Sequence, residues 1–119
     1  MAFAEDFARL REQLRTRVNH ITGEESTKQA MILPFLSLLG WDVWNPLEVH
    51  PEYVADFAKK KASGQLEKVD YALIRDGEVV MFIEVKSAGT VLENHDSQLA
   101  RYFNSTPTVR VGIITNGID

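Results

Sequence analysis

The chain has 119 residues, 45% of them apolar and 25% charged, which suits one globular domain spanning residues 1–119. Its net charge of −4 argues against a strongly basic, nonspecific nucleic-acid binder, and the lack of cysteine excludes a disulfide framework or a thiolate metal site. No apolar stretch approaches bilayer-spanning length and Met1–Ile21 is too charged for a signal peptide, so a cytoplasmic protein with no membrane partner is expected.

Residues 1–21 read as an amphipathic helix. Phe3, Phe7, Leu10, Leu14, Val18 and Ile21 recur at threes and fours on one face, and Arg9, Arg11, Arg15 and Arg17 form a solvated face opposite. A second helix is expected over Glu24–Leu39. Thr22 and Glu25 fit a capping box at its start, Pro34 should bend it, and Gly40 is placed to end it. It is apolar on most sides, as a buried helix is. Asn45-Pro46 marks a turn, and Glu48–Phe57 can form a first strand whose Pro51 points to an edge or a bulge.

A polar loop containing Lys59-Lys60-Lys61, a candidate phosphate contact, leads to two strands over about 68–75 and 79–86, joined at Asp76-Gly77. Leu92–Asn104 reads as a helix carrying Leu99, Tyr102 and Phe103. Pro107 breaks it, and "VRVGIITNG" is expected to be a final buried strand. The order α-α-β-β-β-α-β implies an α/β fold. Its sheet would be a mixed four-stranded one, made of a three-stranded antiparallel meander and a helical crossover to the fourth strand, with helices on both faces.

Asp70, Glu84 and Lys86 interrupt the most apolar hairpin. Glu84 and Lys86 are two apart and share a strand face. A two-residue turn alone would pair residue 70 with residue 83 and send Asp70 and Glu84 to opposite faces. A shared site therefore requires an odd loop or a bulge, and one of these is expected. Two adjacent carboxylates repel, and a divalent cation such as Mg²⁺, which takes oxygen ligands and keeps several waters, would relieve them. Lys86 could hold a water or an anionic oxygen beside it. Two acids, a metal and a lysine suit attack on a phosphodiester. The plainer reading makes Asp70 and Glu84 strand-end residues and Lys86 a salt-bridge partner. His20, His50 and His95 have no ligand spacing to one another, Ser87 and His95 make no credible triad, and no phosphate loop is present, so no nucleotide cofactor is expected.

These residues resemble the PD-(D/E)XK nuclease superfamily, with Asp70 on the second strand and Glu84-Val85-Lys86 on the third; Val69 stands where the family usually has proline. Together with "TGEESTKQAMILPFLSLLGWDVWNPLEVHPEY", "SQLARYF" and "VGIITNG", the chain from Thr22 onward resembles the N-terminal nuclease domain of type I restriction enzyme restriction subunits. The resemblance implies a restriction-endonuclease-like αβββαβ core over residues 22–119. It also implies a Mg²⁺-dependent DNA endonuclease (Mn²⁺ substituting) in restriction-modification or a related defence or prophage setting.

In that reading Asp70, Glu84 and the Val85 carbonyl hold the metal. Glu24, preferred to Glu25 because the capping box already accounts for Glu25, completes the shell. Lys86 is the catalytic lysine, and Gln98 and Tyr102 form a Gln-x-x-x-Tyr motif facing the site or the DNA. Possible partners besides DNA are other restriction-modification subunits or a second copy. The family usually continues past "TNG", and this chain stops at Asp119, which suggests a fragment or a minimal domain. The competing functions are a non-catalytic DNA- or protein-binding module of the same fold and a nuclease acting on RNA or on branched or single-stranded DNA.

Overall fold

The structure, a computed structural model, describes residues 2–54, 68–92, 99–100, 103–104 and 106–118. It is a mixed α/β fold with one four-stranded sheet in the order β1-β2-β3-β4, where β1 is Val49–Tyr53, β2 is Val69–Arg75, β3 is Glu78–Val85 and β4 is Val111–Thr115. β1, β2 and β3 form an antiparallel meander, and β4 joins β3 in parallel. Among the described residues no helix is long and apolar enough to cross a membrane.

Helix α1 covers Phe3–Arg17, with Glu5 and Asp6 in its first turn and Arg15 and Arg17 in its last, a charge order that complements the helix dipole. It stops short of Ile21, and Val18–His20 tighten into a 3₁₀ turn. The expected apolar face is only partly used. Leu10 is buried and Leu14 and Ile21 pack on the core, whereas Phe3 and Phe7 remain exposed and stack on each other at 6.0 Å. Arg9 and Arg15 make exposed ion pairs with Asp6 and Glu12, as a solvated face would.

Arg17 departs from that pattern, and Pro34 is the reason. The next helical run comprises α2 (Gly23–Thr27), a π-helical turn (Lys28–Ile32) and α3 (Leu33–Leu38). Pro34 has no N–H to give the Ala30 carbonyl, and its ring would crowd that oxygen. The run widens just before it, with the Leu33 N–H donating to the Lys28 carbonyl five residues back. Arg17 Nη1 donates to the Ala30 carbonyl at 3.4 Å. The expected bend thus takes the form of a π turn.

The capping box is also replaced. Thr22 is the N-cap but makes no side-chain cap bond, and its N–H donates to Ser26 Oγ at 2.8 Å. Glu25 is engaged elsewhere.

The face of the sheet toward the helical run packs Tyr71, Leu73, Ile83 and Val85 against Met31, Ile32 and Leu36. The other face is centred on Ala72 and Phe82 and is covered by Leu99 and Val109. Phe82 and Leu73 are fully buried, each worth roughly 1.5–3 kcal/mol of transfer free energy. The helix expected over 92–104 falls largely outside the described residues, but 99, 100, 103 and 104 have helical backbone. The segment Lys59-Lys60-Lys61 also lies outside them.

Two strands differ from expectation. β1 is shorter and, as Pro51 suggests, is an edge strand. β4 is the opposite edge rather than a buried strand: Val111 and Ile113 are exposed, and Gly112 lies against Leu99 and Phe103.

Candidate active site

The register of the β2–β3 hairpin brings the two acids together. Asp76 and Gly77 have φ of 53° and 78°, the left-handed pair of a two-residue turn, and Arg75 faces Glu78 across it. Ile74 faces Val79, yet Leu73 faces Met81, so β3 carries one extra residue, Val80, as a β-bulge. Beyond the bulge Tyr71 faces Ile83, and the same register continued by one residue sets Asp70 opposite Glu84. The hairpin therefore has a tight turn and obtains its odd offset from the bulge.

The hydrogen-bonded ladder between β2 and β3 is last paired at Tyr71 and Ile83. Past that point carboxylates take the place of strand carbonyls. The Asp70 N–H donates to Glu84 Oε1 at 3.3 Å, and the Val85 N–H donates to Asp70 Oδ2 at 2.7 Å. Lys86 leaves the strand end with its own N–H donating to the Thr115 carbonyl at 2.8 Å, while its Nζ lies 3.9 Å from Glu84 Oε2. Asp70, Glu84, Val85 and Lys86 thus occupy one end of the central strands.

The electrostatics are those of a crowded pair. Burial, and then the Asp70 charge and a side-chain hydrogen bond with Asp70, push Glu84 up to about 7 against smaller opposing pulls from the Asp70 N–H and then Lys86. Glu84 therefore holds its proton more tightly than an ordinary glutamate.

A second lysine enters from the helical run. Lys28 Nζ lies 2.8 Å from Asp70 Oδ1 and 2.9 Å from Glu25 Oε1. Burial alone would lower Lys28, but the hydrogen bonds to Asp70 and Glu25 outweigh it and hold the ammonium above the ordinary lysine range. Sequence reasoning did not assign Lys28 a role. Its i, i+3 spacing to Glu25 is legible on a helix, but nothing local ties it to residue 70.

The remaining candidates stand apart or lie outside the description. Glu24 is exposed in the first turn of α2, and among the described residues no hydrogen bond or ion pair joins its carboxylate to Asp70 or Glu84. Glu25, not Glu24, is linked to the site, through Lys28. Gln98, Tyr102 and His95 fall outside the described residues. His50 Nδ1 pairs with the Pro51 carbonyl at 2.8 Å.

Among the described residues no group of three or more acidic or histidine side chains converges. Two carboxylates and a backbone carbonyl nevertheless fit a hard cation such as Mg²⁺, which completes its shell with water. The fit rests on the Asp70–Glu84 pair itself, two adjacent carboxylates each fixed by one strand N–H, whose crowding holds Glu84 above the ordinary carboxylate range. Comparison with protein-family models, with curated proteins and with solved structures gives no match.

Proposed function

We propose that this domain is a metal-dependent endonuclease that hydrolyses DNA phosphodiesters, built on a restriction-endonuclease-like core. The observation that carries the reading is the bulge-set pairing of Asp70 with Glu84, beside Lys86, at one end of an otherwise apolar hairpin. When bound, Mg²⁺ would supply charge neutralisation at the phosphate and a more acidic water. Asp70 and Glu84 would hold it, with the Val85 carbonyl as a further oxygen. Asp70 is oriented for this by the Val85 N–H, and Glu84 by the Asp70 N–H. Lys86, half-buried and anchored at its backbone by β4, would orient the attacking water or neutralise charge developing on the phosphate.

The test is conversion of supercoiled plasmid, and of single-stranded DNA, with Mg²⁺ or Mn²⁺. Asp70→Asn keeps an oxygen for the Val85 N–H while removing the charge, and Lys86→Met keeps the stem without the ammonium. Each is expected to lower the rate at least about a hundredfold, the usual cost of removing one electrostatic group from a reacting centre. Cleavage that persists in EDTA, or in Asp70→Asn at the wild-type rate, refutes the reading.

One observation favours a second reading, a non-catalytic binding module of the same fold: Asp70 already carries a cation, the Lys28 ammonium at 2.8 Å. Mn²⁺ binding separates the two, since a purely structural Asp70–Lys28 pair predicts none.

A further inference from the structure

We propose that Lys28 and Glu25 form a two-seat counter-ion device that sets the divalent-cation affinity of the Asp70–Glu84 pair. Lys28 is held by both Asp70 and Glu25 before a cation binds, and by Glu25 alone afterwards. The inference rests on the reading of Asp70 and Glu84 as cation ligands.

Lys28 Nζ is nearly equidistant from its two partners, 2.8 Å from Asp70 and 2.9 Å from Glu25, but the partners differ in kind. The Lys28–Glu25 pair is local, three residues apart on the same helical run, and persists as long as that turn does. The Lys28–Asp70 pair is a long-range contact between the run and β2 and can break without disturbing the helix. Burial differs as well. The side chain of Lys28 is 12% exposed, whereas that of Glu25 is 88% exposed and has room to follow the ammonium outward.

The π turn starts at Lys28, so the residue that reaches Asp70 sits at the one irregular point of the run. A cation arriving at Asp70 meets a full positive charge already bonded to the same carboxylate, and the two repel strongly at such separations. Glu25 lowers the cost of moving Lys28 aside, because the ammonium keeps one carboxylate when it gives up the other.

A merely structural ion pair between helix and sheet makes a different prediction: its removal would loosen Asp70 and weaken cation binding. The experiment is Mn²⁺ titration of the 119-residue chain, followed by calorimetry and by the Mn²⁺ electron spin resonance signal. The proteins are wild type, Lys28→Met, Lys28→Arg, Glu25→Gln, the Lys28→Met/Glu25→Gln double variant, and Asp70→Asn.

Lys28→Met is expected to bind Mn²⁺ at least about tenfold more tightly than wild type, through loss of one nearby positive charge. Lys28→Arg, which keeps the charge, stays near wild type. Glu25→Gln binds several-fold more weakly, but only when Lys28 is present, so the double variant matches Lys28→Met. Unchanged or weaker binding by Lys28→Met overturns the proposal, as does an equal effect of Glu25→Gln in both backgrounds. Wild-type binding that Asp70→Asn abolishes and Lys28→Met leaves alone overturns the device and keeps the cation site. No Mn²⁺ binding by any of the proteins overturns both.

Discussion

Replacing Glu84 by glutamine is expected to stabilise the cation-free protein above about pH 7 and to change it little below the ordinary glutamate value of 4.5. An unfolded glutamate ionises near 4.5, whereas burial and then the Asp70 charge hold Glu84 up to about 7 in the fold. The native state therefore binds this proton more tightly than the unfolded chain does. Its contribution to stability is complete below 4.5 and is lost as the pH rises through about 7.

At about 1.4 kcal/mol for each pH unit separating the two values, the loss comes to ~3–4 kcal/mol. Solvent screening of the side chain, 11% exposed, brings the expected figure to about 2 kcal/mol. Glutamine keeps an Oε1 acceptor for the Asp70 N–H and offers the Asp70 carboxylate an amide hydrogen without a charge. Urea denaturation in EDTA reads the difference. The variant should exceed wild type by about 2 kcal/mol near pH 8 and match it near pH 4.5. Mg²⁺ should recover wild type near pH 8 and do little for the variant. A glutamine variant less stable than wild type by the same amount at both pH values would refute the reasoning, because Glu84 would then be a favourably paired carboxylate and not a crowded one.

Two further outcomes follow from the fold. Deleting Val80 removes the bulge but leaves residue 70 opposite Glu84, because Leu73 already faces Met81 and every pair beyond it is unchanged, so the deletion variant is expected to retain both its sheet by circular dichroism and its Mn²⁺ binding in calorimetry; lost binding would mean that the local twist of the bulge, and not the pairing alone, shapes the site. Gly117→Ala should cost about 1 kcal/mol more in urea denaturation than Gly89→Ala. Both positions have positive φ, but a Cβ at 117 would lie 2.7 Å from Met31 Sδ and one at 89 meets open space, so equal losses would show that the Met31 contact yields freely.

The hairpin was legible because its signals are local. Asp76-Gly77 marks a turn, the apolar runs of Val69–Arg75 and Glu78–Val85 suit buried strands, and the parity of 70 against 84 demands one extra residue, in the loop or in a bulge. Parity does not say where that residue lies, and only the pairing shows it to be Val80.

What escaped the sequence depends on contacts between distant segments. Pro34 announces a disturbance, but whether the helix kinks or widens depends on what reaches the Ala30 carbonyl, and Arg17 comes from another helix. Phe3 and Phe7 satisfy the periodicity of a buried face, yet the core beneath α1 ends near Leu10. "VRVGIITNG" is as apolar as a central strand, but its neighbours on the helical side do not extend over β4, so Val111 and Ile113 face outward. Lys28 is the sharpest case, since an ion pair across 42 residues of chain leaves no trace in spacing.

The backbone bonds made by Asp70 and Glu84 bear on why these positions carry charge at all. Each carboxylate accepts one strand N–H where the ladder opens. Asparagine and glutamine would accept the same bonds with a far smaller desolvation cost. They would also need neither Lys28 nor Lys86 as counter-ions, and no group at position 84 would have to be held in protonated form at neutral pH. A strand end that required only acceptors would be better served by amides. What the two acids have and the amides lack is negative charge, which Lys28 and Lys86 answer here and which a bound cation would answer under the proposed function. Under the proposed function, the costly arrangement of two acids and two lysines at the end of an apolar hairpin serves a bound cation and an anionic substrate and not the stability of the sheet.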